Sequence, residues 1–540
     1  DADATDTTGG YQRGNYATLN PLQYGGSVNA PTNGNLDITS AASGYGGILG
    51  TIGMSAGKWY FEFTLSSAKA ALGIAKPNTD VTSYLGQRAG AYIYLSNGNK
   101  ANNNSYASYG STFTTGDVIG VAFDADNGTL TFYVNGVSQG SAYTGLTSGP
   151  YMPAFSDDFG SDAGNGSFNF GQMRFKYPMP SGYAALNTTA LPAATIEDGS
   201  AYFDISLWTG TGSSRSITGL SFSPDWVWIK PRNAAYNNAL FDTVRGSGKR
   251  IKSNDTVAED TDNNTLSGFN SDGFSVGTNN GVNQSSKTYV AWCWDAGSST
   301  ASNTDGTITV SQRVNQTAGF SISTYTGNGT AGATFGHGLN AVPDMIIIKA
   351  RDSVADGSWI VGHSALGLGH GRLLLNATSN NNGTPGNVVA YDLWNNTAAT
   401  SSVVSIGSYN AVNDSGDDYV AYCFTAVAGF SHFTSFEGTG SSNPVFVYCG
   451  FRPRWIMKKN ADTGSTNWYI HDTARDTFNV CDAELKPNST ATENTFTALD
   501  ILSNGFAMRT SNSNHNGSGD TYIVAAFAEN PFQANGGLAR

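Results

Sequence analysis

The segment Pro224-Asp-Trp-Val-Trp-Ile-Lys230 decides how this chain is read, because it returns as Pro343-Asp-Met-Ile-Ile-Ile-Lys349 and again as Pro453-Arg-Trp-Ile-Met-Lys-Lys459. Each copy is a proline, an apolar run and a lysine at the same offset. Upstream, Phe203-Asp-Ile-Ser-Leu-Trp-Thr-Gly-Thr-Gly212 is echoed by Phe320-Ser-Ile-Ser-Thr-Tyr-Thr-Gly-Asn-Gly329 and Phe433-Thr-Ser-Phe-Glu-Gly-Thr-Gly440. Downstream, Phe241-Asp-Thr-Val-Arg245 matches His471-Asp-Thr-Ala-Arg475, while the second copy carries the degenerate Gly362-His-Ser-Ala-Leu366. Each copy closes on one strand pattern, Tyr289-Val-Ala-Trp-Cys-Trp294, Tyr419-Val-Ala-Tyr-Cys-Phe424 and Tyr522-Ile-Val-Ala-Ala-Phe527. A period of about 110 to 120 residues is too long for a solenoid unit and suits a small domain. Three homologous β modules are therefore expected, over residues 196–298, 317–428 and 429–532. Serial modules point to a structural or adhesive protein more than to a one-pocket enzyme.

Several large apolar residues stand side by side in Trp226-Val-Trp-Ile229, which breaks simple alternation. A strand buried on both faces explains this, either inside a sandwich or against a neighbouring chain. Each copy is expected to be a small β-sandwich, with homo-oligomer contact, a trimer foremost. Ser298-Ser-Thr-Ala-Ser-Asn-Thr-Asp-Gly306 reads as a linker, and Thr307-Ile-Thr-Val-Ser311 as an added strand.

Composition agrees with an all-β protein. Of 540 residues, 12% are aromatic, 13% are charged and 66 are glycine. Aromatic and β-branched side chains fill pleated faces, and glycine and asparagine supply turns. The net charge of −13, with 28 scattered basic residues, lacks the footprint that nucleic acid requires. No apolar run is long enough to span a bilayer, so no membrane insertion is expected. Cys293 and Cys423 fall at one position of the closing strand where the third copy has Ala526, which suits a packed core site and not a disulfide.

Residues 1–190 read differently. Gly57-Lys-Trp-Tyr-Phe-Glu-Phe-Thr64, Ala71-Leu-Gly-Ile-Ala75, Gly116-Asp-Val-Ile-Gly-Val-Ala-Phe123, Thr129-Leu-Thr-Phe-Tyr-Val134, Tyr151-Met-Pro-Ala-Phe155 and Ser167-Phe-Asn-Phe-Gly171 follow in order. Asn127-Gly128 is a hairpin turn signal between two of them. This ordered set, over about residues 50–175, resembles a SPRY domain. The resemblance implies a bent, concanavalin-like β-sandwich that binds proteins or glycans through loops at one end and is not catalytic. With Asn15-Tyr-Ala-Thr-Leu-Asn-Pro-Leu22 as its lead-in and polar β modules after it, the chain also resembles bacteriophage tail fibres and other virion structural proteins.

No catalytic residues and no cofactor are expected. Paired carboxylates at glycosidase spacing are missing, since Glu62, Glu197 and Glu437 are scattered. Asp124-Ala-Asp-Asn-Gly128 lacks the later ligands of a calcium loop and reads as a turn. The histidines show no zinc-ligand spacing, so no metal site is expected. The recurring Asp-Thr-x-x-Arg is read as an ion pair or turn clamp. Binding chemistry is clearer in Asn99-Lys-Ala-Asn-Asn-Asn-Ser-Tyr-Ala-Ser-Tyr-Gly110, where amides interleave with tyrosines as sugar recognition requires. The ligand-contact candidates are Asn102, Asn103, Asn104, Tyr106 and Tyr109, with Asp157, Asp158 and Phe159 in a second loop. The expected function is host-surface attachment, to glycan or protein, by a virion tail fibre or appendage located outside the cell. Other virion proteins are the expected further partners. The alternatives are a capsid-decoration or tail-associated subunit, and a secreted bacterial lectin or adhesin.

Overall fold

The computed structural model describes residues 14–67, 69–157, 163–381, 393–441 and 445–531. It is nearly all β, with 44% of residues in strands and 4% in helices.

The first domain is a sandwich of two seven-stranded sheets. Strand Lys58–Leu65 alternates Trp59, Phe61 and Phe63 onto the face between the sheets, where Phe155, Phe168 and Phe170 meet them. It pairs antiparallel with Val118–Asp124, which turns back into Thr129–Val134. Gly128 takes φ +62° at that turn, and Asp124 accepts from the Asn127 amide at 3.0 Å while pairing with Lys58. The aspartate therefore caps a hairpin.

The remainder repeats one strand order three times. In the first repeat it is Phe203–Thr209, Thr288–Trp294, Trp226–Pro231 and Ala239–Asp242. In the second it is Phe320–Thr326, Asp418–Phe424, Met345–Ala350 and Ile360–His363, and in the third Ser431–Glu437, Thr521–Pro531, Phe451–Asn460 and Trp468–Asp472. Each of these sheets is covered on its outer face by a second sheet, which gives three separate outer cores. Val227, Ile229 and Cys293 lie in the outer core of the first repeat, packed on Leu266, Phe274 and Val276.

The inner faces do something the repeat pattern does not reveal. Trp226, Trp228, Trp292 and Trp294 of the first repeat, Phe320, Tyr422 and Phe424 of the second, and Phe433, Trp455 and Phe527 of the third form one continuous core. The rings of Trp226 and Tyr422 stack at 4.5 Å, and Trp294 lies 5.6 Å from Trp455. The face that suggested a neighbouring chain is thus taken by sister repeats of the same chain. A strand that is apolar on both sides must be covered on both sides, and here one molecule supplies both covers. The expected linker is likewise a strand: Ala301–Asn303 pairs with Val310–Asn315, which extends the sheet of the second repeat.

Polar contacts close the assembly in one cyclic sense. Tyr422 of the second repeat donates to Asp242 of the first at 2.7 Å, and Trp292 of the first donates to Asp472 of the third at 3.0 Å. His363, at the corresponding place in the second repeat, reaches the Val524 carbonyl of the third at 3.2 Å. The Asp-Thr-x-x-Arg pattern is a buried ion pair, Asp242–Arg245 at 2.5 Å and Asp472–Arg475 at 2.6 Å. The recurrent lysines are also buried. Lys230 donates to Tyr236 O at 2.8 Å and to Ser489 O of the third repeat at 3.2 Å, and Lys349 to Thr256 O of the first at 3.3 Å.

Burial pushes Lys230 down to about 7 and Lys349 and Lys459 down to about 8. In the unfolded chain these groups hold their protons up to the ordinary lysine range near 10.5. From about pH 7 to about pH 8.5 the unfolded state therefore binds more protons, and stability rises with pH. Thermal melts at constant ionic strength check this; a midpoint that is flat or falling across that window counts against it. Above about pH 9 the buried cysteines, pushed up to about 12 or beyond, oppose the trend.

The sandwich docks on the third repeat. Asn504 donates to Thr51 O at 2.7 Å, Asn78 to Ser435 O at 2.6 Å, and Tyr448 packs on the outer core around Leu49, Leu85 and Met152.

Candidate binding surface

The hairpin Asn99–Asn102 and Ser105–Ser108 forms the free edge of one sheet of the sandwich. Asn103 and Asn104 take φ +49° and +60° at its turn, the left-handed region that asparagine tolerates better than other side chains. Ser105–Ser108 is exposed along its whole length.

The candidates divide by environment. Asn102 turns inward and donates to the carbonyls of Ala91 at 2.6 Å and Ala89 at 3.0 Å, so it clamps the loop before it instead of facing a ligand. Tyr109 is half-buried; its hydroxyl donates to Gly140 O at 2.5 Å and its ring packs edge-on to Tyr94. Asp157 is buried and accepts from Ser27 at 2.8 Å. Asp158 and Phe159 lie outside the described residues. Tyr106 alone of the described candidate rings is open, 48% exposed, and it stacks at 14° on the buried ring of Tyr84.

Tyr84 also touches Tyr45, which is 51% exposed, at 6.4 Å. Two open tyrosines thus flank a buried one, and Asn103 and Asn104 lie exposed at the rim. Tyr45 precedes Gly46, which pairs with Asp157 across the sheet. Asp157, at the start of the second sequence-derived loop, therefore lies across the sheet from the residue that follows Tyr45, and Tyr84 joins Tyr45 to Tyr106. Tyr45 could have been suspected from its flanking glycines, but nothing local links it to Tyr106. The surface offers flat rings, amides and the exposed Asp80–Arg88 pair. It suits recognition by stacking and hydrogen bonding.

Among the described residues carboxylates do not converge there. Glu62 is buried and accepts from the amides of Lys176 at 2.8 Å and Tyr177 at 3.0 Å, a structural clamp. Among the described residues one group of metal-competent side chains comes together, His471, Glu484 and His515 in the third repeat. No local spacing signals it, because its members come from three separate elements.

The fold defines a SPRY-type sandwich mounted on a three-repeat β assembly, and residues 58–173 match the SPRY domain model. The chain belongs to the family described as Domain of unknown function (DUF7483), whose model matches residues 198–531 and so spans all three repeats. An E3 ubiquitin-protein ligase RKP from Arabidopsis thaliana is 35% identical over 130 residues, 23% of this chain and 10% of that protein. The ATP-dependent RNA helicase DDX1 of Xenopus laevis is 26% identical over 169 residues, 31% of this chain and 23% of that protein. The chain therefore spans less than a quarter of either relative. Among solved structures, the SPRY domain of human HERC1 is 18% identical, with 29% of this chain and 99% of that one covered and a TM-score of 0.26. A human SPRY domain is 16% identical over 26% of this chain and 96% of its own, with a TM-score of 0.22. SPRY domains are typically protein-interaction modules and not catalysts.

Proposed function

We propose that this chain is a non-enzymatic bacteriophage virion protein, a tail fibre or appendage that attaches to a host-surface glycan or protein through the tyrosine end of its SPRY sandwich. The observation that carries the reading is the pair of open rings, Tyr45 and Tyr106, standing on buried Tyr84. Their rigid backing lowers the ordering cost of binding. The three-repeat assembly serves as a stiff mount, and the working unit is a homo-oligomer of such chains, a trimer foremost. The SPRY match favours a protein partner as the second reading, with another virion protein on the same surface.

The test is a pull-down of labelled protein on intact candidate host cells, with and without periodate oxidation of surface glycans, together with its mass in solution. Periodate-sensitive capture supports attachment to sugar, and periodate-resistant capture supports a protein receptor. The variant Tyr106→Ala is expected to weaken capture by about 30-fold, the effect of losing a central aromatic anchor. Capture unchanged in the Tyr45→Ala, Tyr106→Ala double variant would remove this surface from consideration. Binding to purified virion particles but to no cell would favour the second reading.

A further inference from the structure

We propose that the third repeat contains a structural metal site for a borderline divalent cation such as Zn2+, with His471, His515 and Glu484 as its protein ligands. The site lies apart from the tyrosine surface and does not depend on the attachment reading.

The argument begins with a comparison inside the molecule. Strand register places His471 where the first repeat has Phe241 and the second Gly362, and Lys458 where they have Ile229 and Ile348. His515 occupies the third position of the short helix Ser513–Asn516, where Asn280–Asn283 has Val282 and Asn410–Asn413 has Val412. Phe241, Ile229 and Val282 are core residues of the first repeat, and Ile348 and Val412 of the second. The fold is thus built with apolar groups at these places. Only the third repeat replaces them with two imidazoles and an amine, and it brings Glu484 to the same point.

These substitutions leave polar atoms buried without a use. His471, 0% exposed, has no hydrogen-bond partner at either ring nitrogen among the described residues. Glu484 has one oxygen held by Asn494 at 3.0 Å, while Oε2 has no hydrogen-bond partner. Isolated polar groups of this kind are unfavourable in a protein interior unless something binds them.

The geometry suits a metal. The three ligand atoms all lie within 4.8 Å of one another, and His515 Nε2 is 3.4 Å from Glu484 Oε2. Tetrahedral zinc with bonds of about 2.0–2.1 Å needs ligand atoms about 3.3 Å apart, so one edge is already formed and a small rotation of His471 completes the face. The other nitrogen of His515 lies 2.6 Å from Lys458 Nζ, a contact that fixes the direction of the ring. Phe496 stacks on the His515 ring at 4.8 Å, and Tyr469 packs at 4.3 Å. With all three ligands buried, the ion would clip strand Trp468–Asp472, strand Cys481–Glu484 and the short helix together rather than meet a substrate.

The experiment uses the full chain, stripped with chelator and then titrated with Zn2+ and, separately, Co2+. The expected result is one ion per chain, a melting transition of the repeats raised by Zn2+, and Co2+ absorption of the tetrahedral kind. His471→Phe and His515→Val install residues the first repeat already uses, so both variants should keep their secondary structure while binding Zn2+ more than about 100-fold more weakly. The proposal is overturned by a wild-type chain that takes up no stoichiometric Zn2+ or Co2+, or by folded variants that retain wild-type affinity. If neither variant folds, the Co2+ spectrum of the wild-type chain alone decides: tetrahedral absorption supports the site, and its absence rejects it.

Discussion

Replacing Trp226 by alanine is expected to destabilise all three repeats together, by about 3–5 kcal/mol. Trp226 is buried and lies 4.6 Å from Trp294, 4.5 Å from Tyr422 and 5.7 Å from Phe320, so its indole touches two repeats at once. Its Nε1 has no hydrogen-bond partner among the described residues, so the loss is one of packing and cavity formation. Because the inner core is continuous, calorimetry should show one transition for the repeats, lowered by about 4–7 °C, with the SPRY transition little changed. Independent modules would behave otherwise, with a shift confined to about a third of the unfolding enthalpy. That outcome would refute the shared core.

The second large effect concerns the ion pair beneath that core. Asp242→Ala leaves the Arg245 guanidinium, whose side chain is 0% exposed, without its partner at 2.5 Å, and removes the acceptor of the Tyr422 hydroxyl. Breaking one side of a buried pair costs about 3–5 kcal/mol, because the remaining charge stays desolvated. The partial pairing of Arg245 with Glu259 at 3.0 Å keeps the expected loss at the lower end of that range. The second repeat shows how the position tolerates change, since it carries His363 and Leu366 where the first has Asp242 and Arg245. The double variant Asp242→His, Arg245→Leu should therefore recover much of the stability lost by Asp242→Ala. Denaturant melts of the single and double variants form the test, and a double variant no better than the single would show that the pair is not self-contained.

The candidate surface was half legible. Glycine, asparagine and tyrosine in the segment 99–110 announced an exposed hairpin, and its turn does fall at Asn103 and Asn104. Residue type could not tell which amide faces outward. Asn102 differs from its two neighbours only in that the loop carbonyls of Ala89 and Ala91 come within its reach. Tyr106 and Tyr109 likewise look equivalent in sequence, yet one is open and the other is packed on Tyr94 and Phe132.

The strands themselves were set locally. Apolar runs such as Trp226-Val-Trp-Ile229, with turn residues on either side, specify β structure with both faces buried whatever lies beyond them. Their threefold recurrence, and the ordered motifs before them, were likewise written in the chain. What covers each inner face was not, because burial demands only an apolar partner and does not name one. Tertiary structure alone decided that the sister repeats close on one another around Trp226 and Trp294. It alone brought His471, Glu484 and His515 to one point, since contact between residues so far apart in sequence depends on how sheets pack and not on any local spacing.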